Sequence, residues 1–384
     1  MPRPRQPTHH LSRRGFLGTA GATALGLTLG CSGGDGGGSD LTLPDGDGRL
    51  RILTWSDYVD PDTVGRFADE ARLDVAYDED WEGNVEGLTG ILEPTLGAGE
   101  PTGYDVIVPT YWVVDRMLQN GWLQPVPIEL VPNHANIDAA LLALPWDRGA
   151  RFHMPWQVGI TGIATDTDRV PVPIGSFAEL VSGRVAGPVG VVAEMRETVG
   201  MLMLLRGDDP SRVTLPGAEA ALDDLERLVA DGTVTLVTND FYDALAGGEL
   251  AACLAWSGDI VLFQAEEAGR NITFTIPEEG AIRWFDSMVI PVEATNPAAA
   301  AAWMDFVYEP ANAAQITAYV QYVSPVLGVR DALVELGGEA AAVADNPLVF
   351  PDDETARRLF FWAGLDAEAE QALDDRFAEI AGFS

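Results

Sequence analysis

The residues best suited to chemistry lie between Cys253 and Pro291, in the stretches CLAWSGD and GAIRWFDSMVIP. Trp256, Asp259, Trp284 and Asp286 supply two indoles and two carboxylates. Indole faces attract positive charge and carboxylates neutralise it, so this combination suits an organic cation. The same residues fit a second reading, with both tryptophans as core anchors and both aspartates as turn or cap residues. Two short apolar runs, Leu250–Trp256 and Ser287–Pro291, read as buried strands, and the loops bordering them are expected to hold the four side chains. His134 and His153 have no second metal ligand at a suitable spacing, so structural roles are expected for both. No cofactor is expected.

The elements that must position these residues begin with a short apolar strand over Leu50–Trp55. Asp60-Pro61 then supplies an N-cap and a first-turn proline for a helix with Val64, Phe67 and Ala68 on one face. Leu73, Val75 and Tyr77 alternate as a second strand, a helical segment follows around Val85–Leu96, and Tyr104–Pro109 is a third strand with the continuous apolar run of a two-sided parallel sheet. This alternation predicts a doubly wound α/β layer, in which ligands sit beyond the carboxyl ends of strands. Those ends carry Trp55-Ser56-Asp57-Tyr58 and Thr110-Tyr111-Trp112. The run FHMPWQVGITGIATD from Phe152 is extended and apolar enough to cross into a second domain, where Val189–Val192 is a strand and Ala218–Ala230 an amphipathic helix stopped at Gly232. Asn296-Pro297 opens another helix, and Leu373, Phe377 and Ile380 mark the last one.

At 384 residues the chain is long enough for two cores. It carries 59 acidic residues against 23 basic ones, all of them Arg, for a net charge of −36. Such a surface repels nucleic acid and anionic headgroups and favours cationic ligands or a salty medium.

Ser12-Arg13-Arg14-Gly15-Phe16-Leu17 precedes a Gly/Ala-rich apolar run too short to span a bilayer. Residues 1–31 resemble a twin-arginine export signal ending in a lipoprotein cleavage site at Cys31, although Thr28 stands where Leu is commonest. Export by that route, to the periplasm or cell surface, with a lipid anchor on Cys31, is the expectation. Residues 32–48, rich in Gly, Ser and Asp, read as a flexible tether. Folding starts near Arg49, and Cys253, the one cysteine beyond that point, is expected to be a core residue.

The blocks TWSDYVDPDTV, GYDVIVPTYWVVDRM, HMPWQVGITGIATD, LAWSGD and IPEEGAIRWFDSMVIP followed by YVQYVSP occur in this order. From Leu50 to Phe383 the chain thereby resembles the periplasmic spermidine/putrescine-binding proteins of polyamine ABC importers. The resemblance implies an α/β, type II periplasmic-binding-protein fold with two lobes and a ligand in the cleft between them. Lobe 1 would comprise 49–158 and 280–325, and lobe 2 would comprise 159–279 and 326–384. The ligand residues it implies are Trp55, Ser56, Asp57 and Tyr58 at the first strand end, then Thr110 and Trp112, Glu194 and Glu197, Trp256 and Asp259, Trp284 and Asp286, and Tyr322. A polar residue that some members contribute near the C-terminus falls here in the apolar Leu359-Phe360-Phe361-Trp362. The implied partners are a polyamine and the membrane permease, with the receptor a monomer that binds no nucleic acid.

A polyamine is a flexible chain of ammonium groups, so its pocket needs carboxylates at the amine spacing and aromatic walls between them. Three rival readings remain at this point. They are a receptor for another cationic or small organic solute, a hydrolase using two carboxylates as an acid/base pair, and a structural surface lipoprotein that binds no small molecule.

Overall fold

The computed structural model describes residues 48–382 apart from 143, 145, 239–240 and 267–270, so the export signal and Cys31 lie outside the described residues. The first layer is built around β1 (Arg49–Leu53), flanked in parallel by β2 (Asp74–Asp78) and β3 (Val106–Ile107). The helix Pro61–Ala71 connects β1 to β2. Asp60 caps it by accepting from the Thr63 amide, Pro61 fixes its first turn, and Phe67 is buried from it against Trp303. The third strand is shorter than expected. Pro109 has no amide to donate, and beyond it the chain meets its neighbour only through its own carbonyl, which accepts from Ser287, and through a single bridge from Thr110 to Asp286.

The second layer places β7 (Ala252–Trp256), β5 (Val189–Val192) and β6 (Thr235–Val237) in parallel order, with the helices Met195–Arg206 and Leu215–Ala230 packed beside them. Two strands join the layers. β4 (His153–Asp166) is buried along its whole length and runs antiparallel to β9 (Ala281–Val289), from His153 opposite Val289 to Thr161 opposite Ile282. At one end β9 pairs with β3; at the other β4 pairs with β7, where Thr161 faces Trp256, and with β8 (Ile272–Thr275). The sheet order β2-β1-β3-β9-β4-β7-β5-β6 is therefore two parallel α/β halves on two shared crossing strands, the expected two-lobed α/β architecture.

One expectation about the crossing strands is corrected. Trp284 and Asp286 lie within β9 rather than in a loop before it, because the strand starts at Ala281, six residues earlier than the apolar run alone suggests. A strand buried on both sides needs no alternation to mark it, and the polar residues inside it concealed its start. The helices Val329–Leu336 and Gly338–Val343, expected in the second lobe, pack against the first-lobe helix Pro310–Val320, and Val326 bridges Ile137. The chain returns to the second lobe only at β10 (Leu359–Phe360), beside β9, and at the C-terminal helix Ala367–Ala381, which packs on the Met195 and Leu215 helices. Among the described residues no helix is long and apolar enough to cross a membrane.

Candidate functional site

The crossing strands bring acids and aromatics from both lobes together. Asp286, buried in β9, accepts from the Tyr58 hydroxyl on Oδ2 at 2.5 Å and from the Thr110 hydroxyl on Oδ1 at 2.6 Å. Tyr58 follows β1 and Thr110 follows β3, so two strand ends of the first lobe clamp one carboxylate. Asn84 holds Thr110 in turn, donating to its hydroxyl at 2.9 Å and accepting from its amide at 3.3 Å. Burial pushes the Asp286 carboxyl up from 3.8 to about 7, against the lowering effect of its two donors.

Glu197 is the counterpart on the second lobe. It sits in the first turn of the Met195 helix, is almost wholly buried, and takes two hydrogen bonds on the same oxygen, Oε2. One comes from the Thr161 hydroxyl and the other from the Trp256 indole at 2.7 Å. Thr161 and Trp256 are register partners on β4 and β7, so their side chains share a face of the sheet. Burial raises the proton affinity of Glu197, and the nearby Asp286 charge raises it further. Glu194, half-buried one turn earlier, is raised by burial and by the charge of Glu197. Among the described residues no ion pair involves Glu197 or Asp286. Two buried carboxylates held by neutral donors, with no cation of the protein's own, form a site that lacks positive charge.

Aromatic rings link the two acids. Tyr58 meets Tyr322 edge-on at 6.0 Å, Tyr322 meets Trp284 at 5.4 Å, Trp284 meets Trp256 at 6.2 Å, and Trp256 rests on Phe241 at 5.4 Å. Glycines allow this packing. A Cβ on Gly258 would come within 2.8 Å of the Tyr322 ring, and one on Gly159 would run into the Trp284 indole. The spacing in LAWSGD is thus explained locally: Trp256 ends β7, Gly258 admits Tyr322, and Asp259 is half-buried in the first turn of the helix Ser257–Glu266.

The remaining expected residues are placed less uniformly. Asp57 adopts a left-handed conformation, φ 54°, with its amide bonded to Glu79 at 2.8 Å and Oδ1 accepting from the Tyr319 hydroxyl at 3.2 Å. Trp55 packs edge-on against Trp81 at 6.4 Å. Ser56 is exposed and donates to the Glu79 carbonyl at 3.4 Å. Trp112 lies in the first turn of the helix Tyr111–Gln119, and the guanidinium of Arg196 covers its ring at 3.9 Å. His153 sits between Asp147, at 2.7 Å, and the Leu141 carbonyl, at 3.1 Å, well within the first-lobe core. Reading the sequence did not find Thr161, Asn84, Tyr319 or Arg196. Thr161 had the one available signal, a hydroxyl inside an otherwise apolar crossing strand.

The sequence family described as bacterial extracellular solute-binding protein matches residues 82–351. The chain is 28% identical over 328 residues to the putrescine-binding periplasmic protein PotF of Escherichia coli K12, covering 81% of this chain and 85% of that one. It is 27% identical over 339 residues to the spermidine/putrescine-binding periplasmic protein of the same organism, covering 88% and 90%. Its fold superposes on the putative spermidine/putrescine ABC transporter protein from Listeria monocytogenes with a TM-score of 0.75, at 24% identity, covering 88% of this chain and 100% of the other. These matches remove the hydrolase reading, because the family is one of binding proteins rather than enzymes. The protein is a member of the bacterial extracellular solute-binding proteins.

Proposed function

We propose that this protein is the extracytoplasmic receptor of an ABC importer and captures a polyamine, putrescine or spermidine, between its lobes for delivery to the permease. One observation carries the reading. Asp286 and Glu197 are buried carboxylates linked by the rings of Tyr58, Tyr322, Trp284 and Trp256, and among the described residues no protein cation pairs with either. An α,ω-diammonium chain satisfies such an arrangement. Each ammonium faces one acid, and the methylenes lie along the aromatic rings. An ion pair at 4 Å contributes about 4 kcal/mol at an effective dielectric of 20, and a cation over an indole about 0.5–2 kcal/mol. The names of the E. coli relatives support the same ligand class.

In this reading Trp55, Asp57, Tyr58 and Thr110 meet the ligand from lobe 1. Glu194, Glu197, Trp256 and Asp259 meet it from lobe 2, and Trp284, Asp286 and Tyr322 from the crossing region. Ser56 and Trp112 border the site. The twin-arginine signal delivers the receptor folded, acylated Cys31 tethers it outside the membrane, and it works as a monomer. Quenching of intrinsic tryptophan fluorescence tests the ligand class, with putrescine, spermidine and spermine set against arginine and glycine betaine. Saturable quenching by a polyamine alone is expected. A response confined to glycine betaine or arginine would transfer the site to another solute. Metabolic labelling with a fatty acid tests the anchor, and a Cys31→Ser variant that stays labelled would refute it.

A further inference from the structure

Next to the acid pair, a second set of side chains joins the two lobes directly. Arg196, in the second-lobe helix that also carries Glu197, is 5% exposed. Its guanidinium lies 3.9 Å from the ring centre of Trp112, which belongs to the first-lobe helix that starts after Thr110. Two carboxylates of the C-terminal helix fix the same guanidinium, Glu370 at 2.5 Å and Asp374 at 3.0 Å. Glu370 is itself anchored by the Trp362 indole at 2.8 Å and the Leu365 amide at 2.9 Å. Asp374 also reaches across to the first lobe and accepts from Arg116 at 3.0 Å, one helical turn beyond Trp112. Alongside, the Tyr111 and Phe361 rings meet edge-on at 6.2 Å, and the Tyr111 hydroxyl donates to the Trp362 carbonyl at 3.4 Å.

We propose that Arg196 is a positioning residue for solute capture, the pin of a clasp that fastens the lobes over the bound ligand. The two helices it links are the two that begin at the acid-holding residues. Thr110 precedes one and donates to Asp286, and Glu197 sits in the first turn of the other. Each time the clasp forms, the two halves of the acid site come into register. The tie combines a desolvated cation–π contact with a carboxylate bridge shared by arginines from opposite lobes, and contacts of this kind act on dissociation more than on encounter. A charged group already covering the Trp112 face also explains how that ring serves the site without lying against the ligand.

The kinetic test rests on the polyamine reading, and a second measurement stands apart from it. Stopped-flow fluorescence with putrescine is applied to the wild type, Arg196→Met, Arg116→Gln and Asp374→Asn. The release rate is expected to rise about tenfold in Arg196→Met and about threefold in Arg116→Gln, with association changed less than twofold. Arg116→Gln and Asp374→Asn together should exceed either alone by less than the product of their effects, because they share one contact. Small-angle scattering of the same proteins without ligand should show a larger radius of gyration for Arg196→Met than for wild type. If wild type ignores putrescine while Arg196→Met still expands, the polyamine reading fails and the clasp survives. A folded Arg196→Met with unchanged radius and unchanged release rate overturns the proposal. Should Arg196→Met not fold, unchanged release and radius in both Arg116→Gln and Asp374→Asn would overturn it equally.

Discussion

Glu197 and Asp286 lie close enough that the negative charge of Asp286 raises the proton affinity of Glu197, although one sits in a second-lobe helix and the other in a crossing strand. Among the described residues each is held by neutral donors alone, Thr161 and Trp256 for the first, Tyr58 and Thr110 for the second. A pair of acids poised in this way is ready to lose protons to solvent when a dication enters.

Ligand capture should therefore release protons. With the Asp286 carboxyl pushed up to about 7 and Glu197 raised, a fraction of each is protonated near neutrality in the free site, while a diammonium ligand stabilises both ionised forms. Affinity is expected to fall as pH drops from about 8 to about 6, by an order of magnitude or more. Calorimetry in buffers of different ionisation enthalpy measures the protons released. A pH-independent affinity across that interval would show that both acids are already ionised.

The unliganded protein should respond to pH in the opposite sense. Asp286 binds its proton more tightly when folded than when unfolded, so its contribution to stability is complete below about 3.8 and is lost as pH rises through about 7. A tenfold change in proton affinity corresponds to about 1.4 kcal/mol, which bounds this contribution at about 4 kcal/mol. Urea unfolding should show wild type losing stability relative to Asp286→Asn as pH rises from about 4 to about 7, because the variant lacks the titrating carboxyl. Identical slopes between about pH 4 and pH 7 would contradict the assignment.

Asp286→Asn and Glu197→Gln preserve shape and remove charge. Each should weaken polyamine binding tenfold or more, since a charge-assisted contact contributes about 1.5–3 kcal/mol. Tyr58→Phe removes one neutral donor from Asp286 and should cost about threefold to tenfold. Dissociation constants from fluorescence titration rank the three, and a Tyr58→Phe loss greater than that of Asp286→Asn would reverse the roles given to charge and orientation.

Gly258→Ala tests the aromatic wall without touching an acid. Its Cβ would stand 2.8 Å from the Tyr322 ring, and Tyr322 spans Tyr58 and Trp284. The ring must move, so affinity should fall about tenfold while unfolding free energy drops by about 1–3 kcal/mol. Binding equal to wild type would show that the Tyr58–Tyr322–Trp284 contacts are dispensable.

The legible parts of this structure were those with a local cause. Asp60-Pro61 announced its helix because capping and proline geometry act within one turn, and TWSDY and LAWSGD marked strand ends because a polar residue following an apolar run has few other places to be. Pairings made across the fold left little trace. Thr161 serves Glu197 only because β4 and β7 align it with Trp256, and Arg196 meets Trp112 only because the lobes come together. The start of β9 is hidden in the sequence for the same reason, since Trp284 and Asp286 read as loop residues where the cover on both faces of the strand comes from distant segments. Helices Val329–Leu336 and Gly338–Val343 carry no local signal of which layer they join, because their packing on the helix Pro310–Val320 is made across the fold.

The central claim is that Asp286 and Glu197 together recognise two ammonium groups of one ligand. Titration calorimetry with putrescine, spermidine and spermine, on wild type and on the Asp286→Asn/Glu197→Gln double variant, tests it most directly. Tight one-to-one binding of a polyamine by wild type, abolished in a double variant that remains folded, is the expected result. No heat from folded wild type, or undiminished affinity in the double variant, would contradict the claim.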